Sequence, residues 1–345
     1  MLRRLLISGQ ERDPPYRRLS CGRRGSSARD KSPGYRPMIE GRMGEILLIV
    51  NGDDFGASEE VNEAVVLAFR TGVLTSCSLM TSGNAFDHAV GLARENPGLA
   101  VGIHLVTVLG RPVLPPFEIP DIVDTHGRLL SNPTLAGLKY YFSLRARRQL
   151  MKELDAQFRK FLSTGLHPSH IDSHLHMHIH PVVRDAAIEL GMRYGVRRMR
   201  VPRDDLDITT RFQGARPFSN KLSDRIFRSL NRHMRAELRR NGFVFPDRVF
   251  GLFMSGRMNE DYFLHVLDHL HDASNEIYFH PSVHPRDRTP GVQDLHGMRE
   301  FRALTSAAVK NRIRESGIHL ADYRRLDRDH EPAGEAFSSR GKETR

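Results

Sequence analysis

The chain has 345 residues, a formal net charge of +11 and only two cysteines, Cys21 and Cys77. Two cysteines provide neither a disulfide framework nor a thiolate zinc site, so any metal must be held by histidine and carboxylate. No apolar run approaches the roughly 20 residues that a transmembrane helix needs. The length is normal for a single β/α barrel, and the apolar fraction can supply its core.

The amino terminus carries much of the positive charge. Residues 1–42 contain eleven Arg and Lys against four Asp and Glu, a surplus of +7 (11 minus 4). The stretch is rich in Gly, Pro, Ser and Arg and has no helical or strand period, which predicts disorder. It also lacks the apolar core of a secretory signal. Because Met43 directly precedes the first predicted strand, the extension is interpreted either as an upstream start assignment or as a mobile basic tail.

Residues 43–326 alternate short strands with helices and are predicted to form one domain. The predicted strands are 45–51, 75–81, 99–106, 169–176, 196–201, 249–254, 276–279 and 317–323. Helices are predicted from the cap at Ser58 to Gly72, over 85–95 and 144–163, and from Pro181 onward. This alternation predicts a parallel α/β architecture, an irregular TIM-like (β/α) barrel. Residues 327–345 are polar and aperiodic, which predicts a disordered tail.

Two segments depart from this alternation. Residues 107–133 contain five prolines, so they are predicted to be a long loop that covers or shapes a substrate site. Residues 218–243 place apolar side chains at helical spacing among seven Lys and Arg, which predicts a basic amphipathic helix. Such a helix fits either the outer layer of a barrel with a solvated face or the surface of an anionic membrane.

Acidic and histidine side chains follow the apolar runs of several predicted strands. The clusters are Asp53 and Asp54, then His104, then His174 with His176 and His178, and finally His280. Because the carboxyl ends of the strands of a β/α barrel converge on one face, these clusters are expected to meet there. Histidine with carboxylate suits zinc and other divalent metals. The sequence therefore predicts a metal-centred active site at the carboxyl ends of the strands.

Each cluster also has a simpler explanation by itself. Adjacent aspartates are common in turn caps, His104 fits a buried core histidine, and His280 before a proline fits an ordinary loop. His174, His176 and His178 recur with period 2, so on a strand they would share one face. The interpretation of His178 and His180 as surface residues beyond the strand end is favoured, whereas Asp172 two residues earlier favours a functional role for His174.

The motifs resemble those of a known enzyme family. Four segments, Asn51–Gly56, Gly102–His104, Asp172–His176 and Glu276–Pro281, are similar to the YdjC/ChbG carbohydrate deacetylases. The resemblance runs from about Ile46 to Tyr323, with Gly52 and Ser282 standing where Ala and Gly are usual. The loop Gly110–Pro116 and the following Glu118–Asp121 resemble the hopanoid-biosynthesis-associated branch, HpnK. At positions 172 and 173 that branch often has Asn-Ala rather than Asp-Ser.

The family resemblance implies an irregular barrel and metal-dependent removal of an N-acetyl group from an amino sugar. By matching motifs, Asp54, His104 and His174 would bind a divalent ion, Mg²⁺ or Zn²⁺. Asp53 would be the general base and His280 the general acid. His176 would be a substrate or neighbouring support residue.

The expected substrate is an N-acetylglucosamine unit, which the HpnK resemblance places on a hopanoid lipid. A deacetylase of soluble chitooligosaccharides is the alternative within the family, and another metal-dependent amidohydrolase or a phosphoesterase is the alternative outside it. Nucleic-acid binding is suggested only by the high isoelectric point and is the least favoured alternative, because most of the excess charge lies in residues 1–42 and no binding motif is present. A cytoplasmic location is expected, with peripheral contact at the inner membrane through residues 218–243. A homodimer is compatible with the sequence.

Overall fold

A computed structural model describes residues 45–202, 206–213, 221–271, 273–289 and 292–326. The predicted tails, 1–42 and 327–345, lie outside these residues. A seven-stranded parallel sheet forms the centre of the fold, in the order β4-β3-β2-β1-β6-β5, with β9 beside the start of β1. Its strands are β1 Leu47–Phe55, β2 Ser76–Leu79, β3 Ala100–Leu105, β4 Ile171–Ser173, β5 Arg248–Phe250, β6 Ser274–Phe279 and β9 His319–Ala321. A separate antiparallel pair consists of β7 Arg286–Thr289 and β8 Val292–Asp294.

Helices follow the strands and cover the sheet. Among the described residues they are α1 Glu59–Thr71, α2 Phe86–Glu95, α3 Pro133–Phe142, α4 Leu144–Leu162, α5 Pro181–Arg193, α6 Leu206–Gln213, α7 Lys221–Arg240, α8 Glu260–Leu267, α9 His296–Thr305 and α10 Ala307–Glu315. All nine residues of β1 are buried, as expected for a parallel strand covered on both faces. The α/β prediction is confirmed.

The sheet is strongly curled. Isolated parallel bridges join Ile171 of β4 to Met199, and Arg198 to Val244, which leads into β5. Through these bridges, the pairing of neighbouring chain segments continues from β4 toward β5. The result is a curled sheet that is compatible with the predicted barrel.

Most predicted elements are confirmed, with shifts at their ends. Ser58 caps α1 by accepting a hydrogen bond from Val61 N, and α5 begins at Pro181 as predicted. The predicted strand 196–201 is reduced to two isolated parallel bridges, at Arg198 and Met199. Helix α3 was missed: its Asn132 cap and its proline in the first turn are valid start signals, but they were attributed to the preceding loop.

The long loop before α3 is held against α4 by three buried polar side chains spaced four residues apart. Gln157 accepts from Val106 N and donates to Val106 O. Glu153 accepts from the backbone N–H groups of residues 113 and 114, and Gln149 accepts from Asp121 N. Residues four apart share one helix face, so one stripe of α4 fixes the path of residues 106–121.

Helix α7 confirms the predicted basic amphipathic helix. Between residues 229 and 240, Met234 and Leu238 are fully buried, whereas Arg232, Arg239 and Arg240 are exposed. The apolar face therefore packs against the protein in this part of the helix. No helix among the described residues is long and apolar enough to span a membrane.

Candidate metal centre and active site

Strand register brings the separate motifs together at the carboxyl edge of the sheet. His104 of β3 lies directly opposite Asp172 of β4, and Asn51 of β1 lies opposite Tyr278 of β6. Gly102 precedes His104 in β3 because a side chain there would collide with a neighbouring ring. A Cβ atom on Gly102 would lie 2.2 Å from Cε1 of His170.

Asp54, His104 and His174 form a cluster whose possible ligand atoms all lie within 4.8 Å of one another. Oδ1 of Asp54 lies 3.1 Å from Nδ1 of His174 and 3.5 Å from Nε2 of His104. His104 and Asp54 are buried, and His174 is partly exposed toward the cleft. The structure therefore places together the three residues that the family resemblance assigns to a divalent ion.

The orientation of His104 is fixed from behind. Its Nδ1–H donates to Oδ1 of Asp172 at 2.8 Å, which leaves Nε2 directed at Asp54. Asp172 is itself held, because its Oδ2 accepts from Ser78 Oγ at 2.7 Å. A carboxylate that holds the far nitrogen of a histidine is the usual support of a metal ligand.

The electrostatic field in the cluster favours a cation. Burial opposes a charged imidazole, but Asp172, Asp54 and Asp53 together raise the pKa of His104 to about 10. Burial would likewise raise the pKa of Asp54, yet His174 and His104 hold it well below its usual range. Positive charge is therefore stabilised where the three candidate ligands meet, which is the condition that a divalent ion requires.

The backbone is distorted at one residue of this cluster, Asp54, and at two residues that follow His174. Asp54 has φ 63°, and the pairing of β1 with β2 shifts register between Gly52 and Phe55. Leu175 and His176 have φ 54° and 52°. A left-handed conformation costs a non-glycine residue on the order of 1–3 kcal/mol, and such residues concentrate at functional sites.

The prediction that alternate histidines share one strand face is wrong. Strand β4 ends at Ser173, and residues His174–Ile179 form a kinked 3₁₀ turn. The distortion at residues 175 and 176 directs His176 to Tyr278, whose OH lies 2.8 Å from Nε2. His178 lies beyond the strand end as predicted, but it is fully buried between Ser173 Oγ and the backbone carbonyl of Arg200.

Asp53 is held apart from Asp54 by a guanidinium. Arg200 donates from Nη1 and Nη2 to the two carboxylate oxygens of Asp53 at 2.7 and 2.8 Å. Asn51 adds a third hydrogen bond at 2.8 Å. Bidentate pairing of this kind fixes the plane of the carboxylate. The two adjacent aspartates thus have different surroundings, one facing histidines and the other facing arginine.

Arg200 joins this site to a charged network inside the curled sheet. Its side chain is fully buried and also contacts Asp172 at 2.9 Å and Glu276 at 2.6 Å. The Tyr323 hydroxyl donates to Glu276, and the guanidinium carbon lies 4.6 Å from the ring centroid of Tyr278. One cation therefore serves three buried carboxylates.

The cluster opens into a cleft. Its lining residues are Asp53, His104, His174, Leu175, His176, Leu252, Ser255, Tyr278 and His280. His280 is positioned by Glu300, which accepts from its backbone N–H and lies 3.9 Å from its Nδ1. Burial, followed by the charges of Arg200 and His178, lowers the pKa of His176 well below its usual value, so this ring is neutral at pH 7.

Sequence reasoning missed two residues of this centre. Asp172 was noted as a neighbour of His174, but its contact is with His104. Arg200 lies within the predicted strand 196–201 and was not identified as a site residue. A charged residue in a predicted buried strand indicates a buried ion pair, because buried charges are paired.

A family model described as YdjC-like protein matches residues 47–315. The chain belongs to this family. The matched range contains all of the candidate site residues, from Asp53 to His280. The expected family is therefore confirmed, whereas the HpnK branch stays a prediction.

Relatives of this YdjC-like protein include two carbohydrate deacetylases. The protein from Geobacillus stearothermophilus is 31% identical over 279 residues, which cover 80% of this chain and 96% of the relative. The protein from Brevibacillus brevis strain 47 is 43% identical over 149 residues, 43% of this chain and 57% of the relative.

A solved structure from Enterococcus faecalis V583, described as a proposed cellobiose-phosphate cleavage protein, is similar with a TM-score of 0.62. It is 27% identical, and the match covers 81% of this chain and 98% of that one. This similarity supports one shared fold.

Proposed function

We propose that this YdjC-like protein is a divalent-metal-dependent N-deacetylase that releases acetate from an N-acetylglucosamine-type sugar. The observation that carries the proposal is the cluster of Asp54, His104 and His174 at the base of one cleft, beside Asp53 and His280. Hydrolase chemistry on a carbohydrate is supported by the two deacetylase relatives. This chemistry requires a polarised amide carbonyl, a base for water and an acid for the leaving amine.

The residues fit a metal ion. Two histidines and a carboxylate form a donor set that suits zinc and similar transition metals, and Mg²⁺ is the alternative expected from the family. His104 has only Nε2 left for an ion, because Asp172 holds Nδ1. When bound, the ion would polarise the acetamide carbonyl and make water more acidic.

Asp53 is assigned as the base. It lines the cleft next to the cluster, and Arg200 and Asn51 prevent its carboxylate from turning away. A fixed carboxylate oxygen can accept the proton of the attacking water without first being ordered, which is the advantage of preorganisation. Asp54, the adjacent residue, faces the two histidines and is assigned to the metal.

His280 is assigned as the acid. Its imidazole lines the cleft and is about a quarter exposed, and Glu300 lies behind Nδ1 at 3.9 Å. Because Glu300 lies on the Nδ1 side, Nε2 is the ring nitrogen left to donate a proton to the sugar nitrogen. The amine leaves only when protonated, so loss of His280 should slow cleavage of the C–N bond.

The sugar is assigned to the wall of the cleft formed by His176 and Tyr278. The imidazole Nδ1 of His176 is buried without a hydrogen-bond partner, and the side chain lines the cleft. A sugar hydroxyl or the acetamide N–H would satisfy this atom, since an unpaired buried polar atom costs on the order of 1–3 kcal/mol.

The finer proposal is that the sugar is attached to a hopanoid lipid. It rests on the resemblance of residues 110–121 to the hopanoid-associated branch. In the structure Glu153 and Gln149 hold this loop against α4. A soluble chitooligosaccharide is the competing substrate.

The test is acetate release by the metal-reconstituted protein from an N-acetylglucosaminyl hopanoid and, separately, from diacetylchitobiose. Asp53→Asn should lower kcat by about 10²–10⁴-fold, and His104→Ala should abolish metal-dependent activity. Asp155→Asn, a buried carboxylate on α4 paired with Arg193 and Tyr194, is the matched control. Activity on chitobiose alone would refute the lipid assignment, and acetate from neither substrate would refute the deacetylase.

A further inference from the structure

Helix α3 and the residue that begins α4 expose a dense apolar surface. Among the described residues eleven large hydrophobic side chains are exposed, and five of them fall within residues 135–144. We call these five the apolar patch: Leu135, Leu138, Tyr141, Phe142 and Leu144. Phe142 is 78% exposed and Leu144 is 67% exposed. Scattered exposed hydrophobics are ordinary, but such a concentration marks a contact surface.

These side chains are not needed to hold α3 in place. The opposite face of the helix is already buried through Ala136, Gly137 and Tyr140, whose hydroxyl donates to the backbone carbonyl of Thr107 at 2.6 Å. Leu135, Leu138, Tyr141 and Phe142 follow the three- and four-residue spacing of one helix face. The apolar patch is therefore a second apolar face of α3, and no other described part of the chain covers it.

The segment of the chain that carries the apolar patch has charge of a single sign. Residues 125–152 contain six Lys and Arg and no Asp or Glu. Lys139, Arg145 and Arg148 are exposed beside the patch, and the guanidinium of Arg147 lies 5.6 Å from the ring centroid of Tyr141. Arg145 also pairs with Asp121 at 2.8 Å, and the others extend the positive surface.

The patch lies at the same end of the sheet as the cleft. Gly137 and Tyr141 of α3 pack against His180, which ends the turn that carries His174 and His176. A surface that bound the apolar patch would therefore also approach the cleft.

We propose that the apolar patch and its basic border dock this protein on a membrane surface that carries anionic lipid headgroups. Leucine and aromatic side chains would enter the boundary between headgroups and acyl chains, and Lys and Arg would pair with the phosphates. A second copy of the chain is a poorer occupant, because a two-fold contact would bring the basic borders of both copies together. The proposal does not depend on the proposed deacetylase activity.

Helix α7, the membrane contact expected from sequence, is less suited to this task. It offers exposed arginines, but Met234 and Leu238 are buried and none of the eleven exposed hydrophobics lies within residues 229–240. Charge alone gives weak, salt-sensitive attraction, whereas insertion of apolar side chains adds affinity that salt does not screen.

The chain has no tryptophan, which permits a site-specific probe. Phe142→Trp is titrated with phosphatidylcholine vesicles that contain or lack phosphatidylglycerol, and Met192→Trp on α5 is the matched control. The expected result is a blue shift of the emission of the Trp at position 142 with phosphatidylglycerol vesicles, and no shift for the control. Unchanged emission from position 142 would overturn the proposal.

Vesicle co-sedimentation of the full chain separates the contribution of the apolar side chains to binding from that of the basic side chains. Leu138→Ser with Phe142→Ser should lower the partition coefficient by at least about tenfold, and Lys139→Gln with Arg148→Gln should lower it about tenfold or more at low salt. Leu67→Ser with Met192→Ser removes two exposed apolar side chains elsewhere and should change neither binding nor thermal unfolding. The proposal would be overturned if the wild type failed to bind vesicles and light scattering showed a dimer that Leu138→Ser with Phe142→Ser dissociates. That result would assign the patch to a second copy of the chain.

Discussion

Arg200→Met should destabilise the fold strongly, because it leaves three buried carboxylates without their cation. The side chain of Arg200 is fully buried and lies within 2.9 Å of oxygens of Asp53, Asp172 and Glu276. Methionine keeps the unbranched stem but removes the guanidinium. Removing one partner of a buried ionic network costs about 3–5 kcal/mol, a large part of the roughly 5–15 kcal/mol that stabilises a protein.

The loss should depend on pH. Burial would raise the pKa of Asp172, but Arg200 and then His104 hold it well below its usual range. The depressed pKa means that Asp172 contributes stability above the pKa of the unfolded state and loses that contribution as pH falls toward the folded pKa. Without Arg200 the pKa of Asp172 in the folded state should rise above the unfolded value of about 3.9. The variant should therefore lose most stability at neutral pH.

The measurement is the free energy of unfolding in urea, followed by circular dichroism in the presence of a chelator, at about pH 7.5 and about pH 5. The expected difference between wild type and Arg200→Met is about 3–5 kcal/mol at the higher pH and less at the lower one. If the variant is unfolded at neutral pH, lowering the pH should restore folded protein.

Arg184→Met provides the matched control. Arg184 is also buried, but its partner Asp185 is well exposed, so water can solvate the carboxylate that remains. Arg184→Met should lower the free energy of unfolding by less than Arg200→Met, and this decrease should be nearly independent of pH over the same range. An equal loss for Arg200→Met at both pH values, or no recovery of an unfolded variant, would refute the idea that unpaired carboxylates cause the destabilisation.

Three further predictions concern single contacts. Asp172→Ala should weaken Zn²⁺ binding about 10–100-fold in calorimetry, because His104 loses its support; unchanged affinity would contradict that role. Glu153→Gln should cost about 1–3 kcal/mol in urea unfolding, since only one amide oxygen remains for the two loop N–H groups, and a neutral effect would show that the loop is held elsewhere. Ser58→Ala should cost about 1 kcal/mol through loss of the α1 cap, with Thr71→Ala at the opposite end of α1 as a control near zero.

The order of elements was predictable because it depends on local signals. The buried run before Asn51, the Ser58 cap and Pro181 at a helix start each act over a few residues, and each is found where predicted. Helix α3 was missed because its exposed leucines and aromatics show no polar face. Hydrophobic periodicity detects a helix with one buried side, and this helix is apolar on both.

The candidate site was predictable as a set of residues but not as an arrangement. Adjacent side chains on a strand point to opposite faces. Asp53 and Asp54 also diverge, but Asp54 does so with a left-handed backbone at a register shift. The histidines after β4 were expected to alternate, yet the chain turns at residues 175 and 176. Side chains alternate between two faces only while a strand continues, and here the strand stops after three residues.

The sequence by itself determined the parallel α/β class, the family and the identity of the polar residues at the strand ends, because these depend on composition, short motifs and local backbone preferences. Only the tertiary structure decided that Asp172 supports His104, that Arg200 serves three carboxylates and that α3 exposes an apolar face. The first two are contacts between residues 28 to 147 positions apart, and the third is the lack of a covering element among the described residues. Such contacts depend on how strands are aligned in the sheet, which no short stretch of sequence encodes.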